Sequence, residues 1–375
     1  MGDNPALADA ARAGFVLPLF IADDEVMGWG AAHRWRIGRA LASLDADLRA
    51  RGSRLILRYG APADILRDLA AQTGADCVHV SHDVRDAPLA LRRHPLNQLA
   101  PDHGRIATKT GGPYRVFTPF WKALRETEIA PPQAAPSRLA PPPIWPESDD
   151  PARLSAGVDR GAAVLAQATE PGEAAAQSRL RRFIHKLPAY AAGRDRPDMD
   201  AGSGLSGALS VGEIGARQVW AAGRAAMDEG APGAEKFLAE LAWREFARHL
   251  LHHFPVLPQR NWSESWDLFP WRGDNDDSEA WRRGQTGVDL VDAGMRELYA
   301  TGRMHNRVRM VAASYLTKHL LTDWRVGLDW FAQTLTDWDA ASNAMNWQWV
   351  AGSGPDSAPF FRIFNPDTQA QKFDP

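Results

Sequence analysis

Three stretches in the C-terminal half concentrate residue types that do chemistry. In "ELAWREFARHLL", Glu240 and Arg244 lie four apart with Trp243 beside them, so a carboxylate, a guanidinium and a large ring share one helical flank. "GRMHNRVRM" combines His305, Asn306, Arg307, Arg309 and Met310, and "TDWDAASN" supplies Asp337, Asp339 and Asn343. Together these can hold a large ligand by charge, amide and ring contacts. The plainer reading of Glu240 and Arg244 is a surface ion pair worth little, but it leaves the adjacent indole unexplained. Farther on, "SNAMNWQWVAGSG" sets Trp347 and Trp349 either side of one glutamine. Ten of the 15 tryptophans follow residue 240. That concentration permits an aromatic-lined pocket, although a single tryptophan is usually core or interface bulk.

Other motifs are weaker. "GSGLSG" (Gly202 to Gly207) matches G-x-G-x-x-G, but "GRDRPDMDA" precedes it where a dinucleotide site needs an apolar strand. A small-residue loop opening a helix can still offer backbone N–H groups to phosphate. His249, His252 and His253 of "HLLHHF" have helical spacing without an H-E-x-x-H pattern, so they read as helix-end histidines and no metal site is expected. Hydrolase elbows and Walker loops do not occur. Arg303, Arg307, Arg309, Lys318 and Arg325 cluster, with Asp323 the only acid from 303 to 325. The cluster can face a phosphate or simply be a solvated helix face.

The elements that must position these residues divide the chain. "GFVLPLFIAD", "SRLILRYG" and "DCVHVS" read as short strands separated by the helices "HRWRIGRALASLDADLRARG" and "APADILRDLAAQTGA", which predicts an α/β domain with a parallel sheet over residues 1–126. Residues 127–170, with "APPQAAPSRLAPPPIWPESDDP" at their centre, read as a proline-rich interdomain linker. Residues 171–375 are helical: "AAAQSRLRRFIHKLPAYAAG", "AEKFLAELAWREFARHLLHHF", "VDAGMRELYATG", "RVRMVAASYLTKHLLTDW" and "RVGLDWFAQTLTDWD" all show three-to-four spacing.

Composition bounds the class. The 375 residues, 45% hydrophobic and 24% charged, suit two folded domains, and the net charge of −3 does not advertise nucleic-acid binding. No apolar run is long enough to span a membrane, and "MGDNPALADAARAG" does not resemble a signal peptide. Cys77 is the only cysteine, which excludes an internal disulfide. A cytoplasmic location is expected.

Taken together, "GGPYRVFTPFWKAL", "ELAWREFARHLL", "GQTGVDLVDAGMRELYATGRMHNRVRM", "LTKHLLTDWRVGLDWF" and "SNAMNWQWVAGSGPDSAPFFRIFNPDTQAQKFD" resemble the photolyase/cryptochrome family over most of the chain. The wording of the last three is closest to bacterial cyclobutane pyrimidine dimer photolyases of the subgroup related to plant cryptochromes. The resemblance implies a folded-back FAD inside an all-α FAD-binding domain. Ser203, Leu205 and Ser206 match the loop on the FAD phosphates, and Tyr190 matches an aromatic at the same site. Arg244, Asn306, Arg309, Asp337 and Asp339 match positions around the isoalloxazine and ribose, and Asn343 matches the neighbour of flavin N5. An asparagine there cannot supply a proton as a carboxylic acid can, which suits a reduced anionic flavin. Glu240, Trp243, Met310 and Trp349 match the pocket for a flipped-out dimer; an enzyme that acts on a base must take it out of the stack. Arg194 and Arg307 are expected to meet DNA phosphates. Trp347, Trp324 and Trp271 match an electron-passing tryptophan chain.

Several departures accompany the resemblance. The family's usual first strand, with its W-x-R-x-D-L-R pattern, does not precede "DNPAL", and a further helix and strand between "SHDVRDAPLALRR" and "LNQLAPDHGRIATKTGGPYRVFTPF" are not seen. Gly202 stands at a usual threonine position. The α/β domain is therefore expected to be shortened, which weighs against a folate-type antenna pigment. The activity implied is light-driven dimer repair by a monomer acting on damaged DNA. The alternative is a cryptochrome-like flavin photoreceptor without repair.

Overall fold

The computed structural model describes residues 1–81, 88–95, 98–100, 106–158, 161–356 and 362–374. The N-terminal part runs α1 (Pro5–Ala13), β1 (Leu19–Ala22), α2 (Asp24–Gly28), α3 (Ala31–Arg49), β2 (Ile56–Tyr59), α4 (Pro62–Thr73), β3 (Cys77–Val80), β4 (Ala90–Arg93) and α5 (Phe117–Glu126). β1 and β2 are parallel, with Leu19 opposite Ile56, and α3 makes the crossover between them. The α1 start is set by Pro5 in the first turn and by Asn4, whose side chain accepts from Leu7 N–H.

The sequence predicts one parallel sheet; among the described residues the strands form two separate two-stranded ladders, β1–β2 and β3–β4. The physical reason lies on the outer side of β2. There the Leu57 N–H donates to Ser148 Oγ at 3.0 Å, the Tyr59 N–H to Asp149 Oδ2 at 3.1 Å, and the Asp149 N–H to the Leu57 carbonyl at 2.9 Å. Part of the proline-rich stretch thus occupies the position of a neighbouring strand, and an edge that would invite foreign pairing is covered.

The C-terminal part is helical: α6 (Ala162–Ala168), α7 (Glu173–Gly193), α8 (Ser206–Val211), α9 (Ala216–Asp228), α10 (Ala234–His253), α11 (Asp276–Arg282), α12 (Asp289–Thr301), α13 (Asn306–Ser314), α14 (Trp324–Thr334), α15 (Ala340–Ala351) and α16 (Pro366–Phe373). One core joins α5, α7, α9, α10 and α15, with Phe120, Leu187, Phe246 and Ala344 at its centre. A second joins α11 to α15 and contains Trp281, Trp324 and Trp347. "RVRMVAASYLTKHLLTDW" is not one continuous helix. After α13 the chain makes a π turn over Tyr315–His319, and α14 restarts where Asp323 caps the Arg325 N–H.

The two parts pack closely through α3. A Cβ on Gly30, just ahead of α3, would collide with the Ala332 carbonyl of α14, so only glycine permits this approach. His33 and Trp29 meet Trp338 in tilted and edge-on ring contacts.

Candidate functional site

Five helices bring polar side chains to one place. The turn at Gly204, with φ +62°, leads into α8, and Ser203 Oγ accepts the Leu205 N–H at 3.4 Å. The hydroxyl of Ser206, first residue of α8, bonds Asp337. Arg309 of α13 donates from one nitrogen, Nη2, to both Asp337 oxygens, at 3.1 and 2.9 Å, a charge-assisted contact, while its Nε donates to the Met304 carbonyl at 2.9 Å. Burial would raise the Asp337 pKa, but Arg309 outweighs it and holds the carboxyl below its ordinary value.

Two residues on, Asp339 caps α15 by accepting the Ser342 N–H at 2.9 Å and pairs with Arg248 at 2.9 Å. Burial works against its charge, yet Arg248 and Arg244 bring its pKa down to about 2. Arg244 turns inward, donating to the Leu209 carbonyl of α8 at 3.2 Å and to Glu245 at 3.2 Å. Burial, helped by Arg248, pushes the Arg244 pKa down to about 10. Asn343, one turn into α15, donates its amide to the Leu328 carbonyl of α14 at 3.0 Å. Ser203, Leu205, Ser206, Arg244, Arg309, Asp337, Asp339 and Asn343 therefore sit on one connected framework.

A second group centres on the end of α7. Tyr190 is buried against Phe183 and Phe237, and burial pushes its pKa up to about 12. The Arg194 guanidinium lies 5.7 Å from the Tyr190 ring centre and is ion-paired with Glu240, which also meets Lys236 at 3.2 Å. Asp195 beside it pairs with Arg307 of α13 at 2.9 Å. Glu240 thus pairs across to Arg194 and along the helix to Lys236, while Arg244 on the same helix takes the inward contacts above. Trp243 stacks flat on Phe117 of α5, with ring centres 3.6 Å apart.

Other predicted residues are more dispersed. Asn306 is exposed at the start of α13, with its amide 3.8 Å from Met310 Sδ. Trp349 lies under the Arg362 guanidinium at 3.5 Å. Trp347 is buried and edge-on to Phe331, and a Cβ on Gly327 would strike its ring. Trp324 is fully buried, donating to Asn261 Oδ1 at 2.9 Å. Trp271 packs at the rim of the same cluster, and Arg272 beside it bridges to Thr322, two residues before Trp324. The ladder's three members share one aromatic core.

The basic patch read from the sequence does not present itself as one face. Arg303 donates to the Ala168 carbonyl, Arg307 pairs with Asp195, Arg309 with Asp337 and Arg325 with Asp323. Lys318 donates to the Ala351 carbonyl, and burial pushes its pKa down to about 8. Each cation has an internal acceptor.

Sequence reasoning missed Arg248, Trp281, His33 and Arg36. Arg248 lies one helical turn beyond Arg244, a signal that was available. Trp281 stands edge-on to Trp347. Arg36 of α3 donates to the Gly207 carbonyl at 3.1 Å and pairs with buried Glu213, bracing α8 from the N-terminal part.

The donor set suits FAD. Hydroxyls and backbone at the Ser203–Ser206 turn suit phosphate, paired carboxylates suit ribose hydroxyls, and the Asn343 amide suits a ring nitrogen. Arg248 Nε is buried and lacks a hydrogen-bond partner among the described residues, as expected where a ligand completes the set.

The comparisons agree with this geometry. The FAD-binding domain of DNA photolyase matches residues 237–375, and the DNA photolyase domain matches residues 1–138. The chain is 44% identical to the deoxyribodipyrimidine photo-lyase of Agrobacterium fabrum, covering 100% of this chain and 82% of that one. It is 33% identical to cryptochrome-2 of Arabidopsis thaliana, over 100% of this chain and 66% of that one. The crystal structure of a class III photolyase from Agrobacterium tumefaciens superposes with a TM-score of 0.93 at 43% identity, over 100% of this chain and 82% of that one. With the two domain matches, the full-length relatives and the polar framework pointing the same way, the chain belongs to the photolyase/cryptochrome family.

Proposed function

We propose that the protein is a deoxyribodipyrimidine photo-lyase that repairs cyclobutane pyrimidine dimers in DNA under blue light. The observation that carries the reading is Glu240. It is a partly exposed carboxylate fixed by Arg194 and Lys236, on the same helix as the stacked Trp243 and the inward Arg244. FAD in its reduced form would supply the excited electron that opens the dimer and would take it back.

Glu240 accepts a hydrogen bond from the flipped dimer and holds it in register. Trp243 and Trp349 offer ring faces to the damaged bases, each stacking contact worth about 1–3 kcal/mol, and Met310 lines the same dimer pocket. Asn343, unable to act as a carboxylic acid, would place no proton donor of that kind beside a bound reduced flavin. Ser203, Ser206, Leu205 and Tyr190 hold the diphosphate side, while Arg244, Asn306, Arg309, Asp337 and Asp339 hold the ribose and ring. Trp271, Trp324 and Trp347 would offer a route for electrons from the rim of the aromatic core toward a bound flavin; indole suits this because it oxidises readily. Arg194 and Arg307 meet DNA phosphates by exchanging part of their carboxylate contacts for phosphate oxygens.

No helix of the described residues is long and apolar enough to cross a membrane. The reading takes the protein as a cytoplasmic monomer, and residues 1–126, 127–170 and 171–375 as its α/β domain, linker and cofactor domain. A folate-type antenna would add only light gathering, and the proposed chemistry does not depend on one. The test is illumination of the reduced, FAD-loaded protein with an oligonucleotide containing one thymine dimer. Recovery of intact thymines is expected. Light-dependent flavin change without repair would overturn the reading and favour the photoreceptor alternative.

A further inference from the structure

The N-terminal part carries a cluster that the repair reading does not use. Asp9 of α1, His79 of β3 and His94, which directly follows β4, converge. His79 is in register with Arg92, so their side chains share a face of the parallel ladder, and His94, two residues beyond Arg92, returns to that face. The His94 N–H donates to the Val80 carbonyl at 2.8 Å, which extends the strand geometry to the histidine. α1 packs over this face and delivers Asp9.

The three ligand atoms have the spacing of a coordination triangle. His79 Nδ1 lies 3.1 Å from His94 Nε2 and 3.3 Å from Asp9 Oδ2, and His94 Nε2 lies 3.8 Å from the same oxygen. A tetrahedral zinc ion with bonds near 2.0–2.1 Å needs edges of about 3.3 Å. We propose that Asp9, His79 and His94 bind one divalent metal ion of the zinc class, linking α1 to the β3–β4 ladder.

Surrounding groups fit this use. The histidines are only 9% and 13% exposed. Arg12 donates to Asp9 Oδ1 at 3.3 Å, orienting the carboxylate while leaving Oδ2 for the ion. Burial lowers the His79 pKa despite Asp9, favouring the neutral imidazole that ligates. Arg92, 3.7 Å from Oδ2 and 62% exposed, competes for that oxygen and is free to swing outward. Without metal, one neutral imidazole donates to the other; on binding, the donating ring moves that proton through solvent to its other ring nitrogen, both rings ligate as neutral imidazoles, and the fourth tetrahedral position goes to water. The role is a cross-link between segments some 85 residues apart in the part of the molecule whose sheet is divided.

Cobalt titration of the full FAD-loaded chain tests the site, because tetrahedral cobalt has strong visible bands and octahedral cobalt weak ones. One strongly absorbing cobalt per chain is expected, displaced by zinc and at least a hundredfold weaker in Asp9→Asn and His94→Gln. His252→Gln/His253→Gln is expected to bind as the wild-type chain does. Weak octahedral bands, no stoichiometric metal at 100 µM free ion (about the weakest binding worth calling a site), or equal affinity in Asp9→Asn would each overturn the proposal. The wild-type spectrum decides the geometry even if a variant does not fold.

Discussion

The helical part and the α/β part solve the same problem, burying charge, in different ways. Around α8, α10, α13 and α15 every buried acid has a guanidinium or a backbone donor, and the network is held on long helices with large aromatic cores. Among the described residues of the α/β part the strands are four residues long, paired two by two, and one edge is closed by Ser148 and Asp149 from an irregular stretch. The contrast teaches where precision is concentrated. The helices set the reacting groups, while the α/β part braces them through Arg36 on α8 and His33 on the turn ahead of Asp337.

That contrast can be broken most severely at Asp339. Replacing it in Asp339→Asn leaves Arg248 without its ion-pair partner and leaves Arg244 paired with Glu245, so stability should fall by about 3 kcal/mol and FAD content with it; denaturant melts and flavin absorbance check this. The same group gives an acid dependence. Its folded pKa of about 2 lies below the ordinary 3.8, so its contribution is fully present above pH 4 and is lost as pH falls toward 2. The loss amounts to about 2 kcal/mol, and Asp339→Asn should flatten that limb of the stability curve.

A smaller effect separates electron supply from repair. Trp347→Phe should slow photoreduction of oxidised flavin by about tenfold or more, while chemically reduced protein repairs normally. Equal photoreduction would return Trp347 to a purely structural role beside Phe331 and Gly327. The smallest effect is expected on the other side of the comparison. Val80→Ala, in β3, should cost about 1–3 kcal/mol and leave flavin content unchanged. A loss of flavin there would show that the α/β part shapes the cofactor site more strongly than its contacts through α3 suggest.

Much of this was legible in the sequence, for identifiable reasons. The three-to-four spacing in α7, α10 and α12 is local, so the helices follow from it. Asp339 and Asn343 are singled out by the family resemblance, and the structure places them at the cap and in the first turn of α15. Strand partners are set by contacts far along the chain, so nothing in "DCVHVS" says that it pairs with "ALRR" and not with β2. The basic cluster misled because charge counts do not show where each guanidinium points. Five cations near one another turned out to satisfy five internal acceptors. Nor could spacing bring Arg36 to Glu213, 177 residues away, or His33 to Thr336. His79 and His94 gave no motif because their convergence depends on the β3–β4 register.

The most direct test of the central claim compares dimer repair per absorbed photon in the reduced, FAD-loaded wild type and Glu240→Ala, with flavin content measured in both. The account predicts efficient repair by the wild type and repair reduced by about tenfold or more in the variant at unchanged flavin content. Equal repair by both proteins, or none by either, would contradict it.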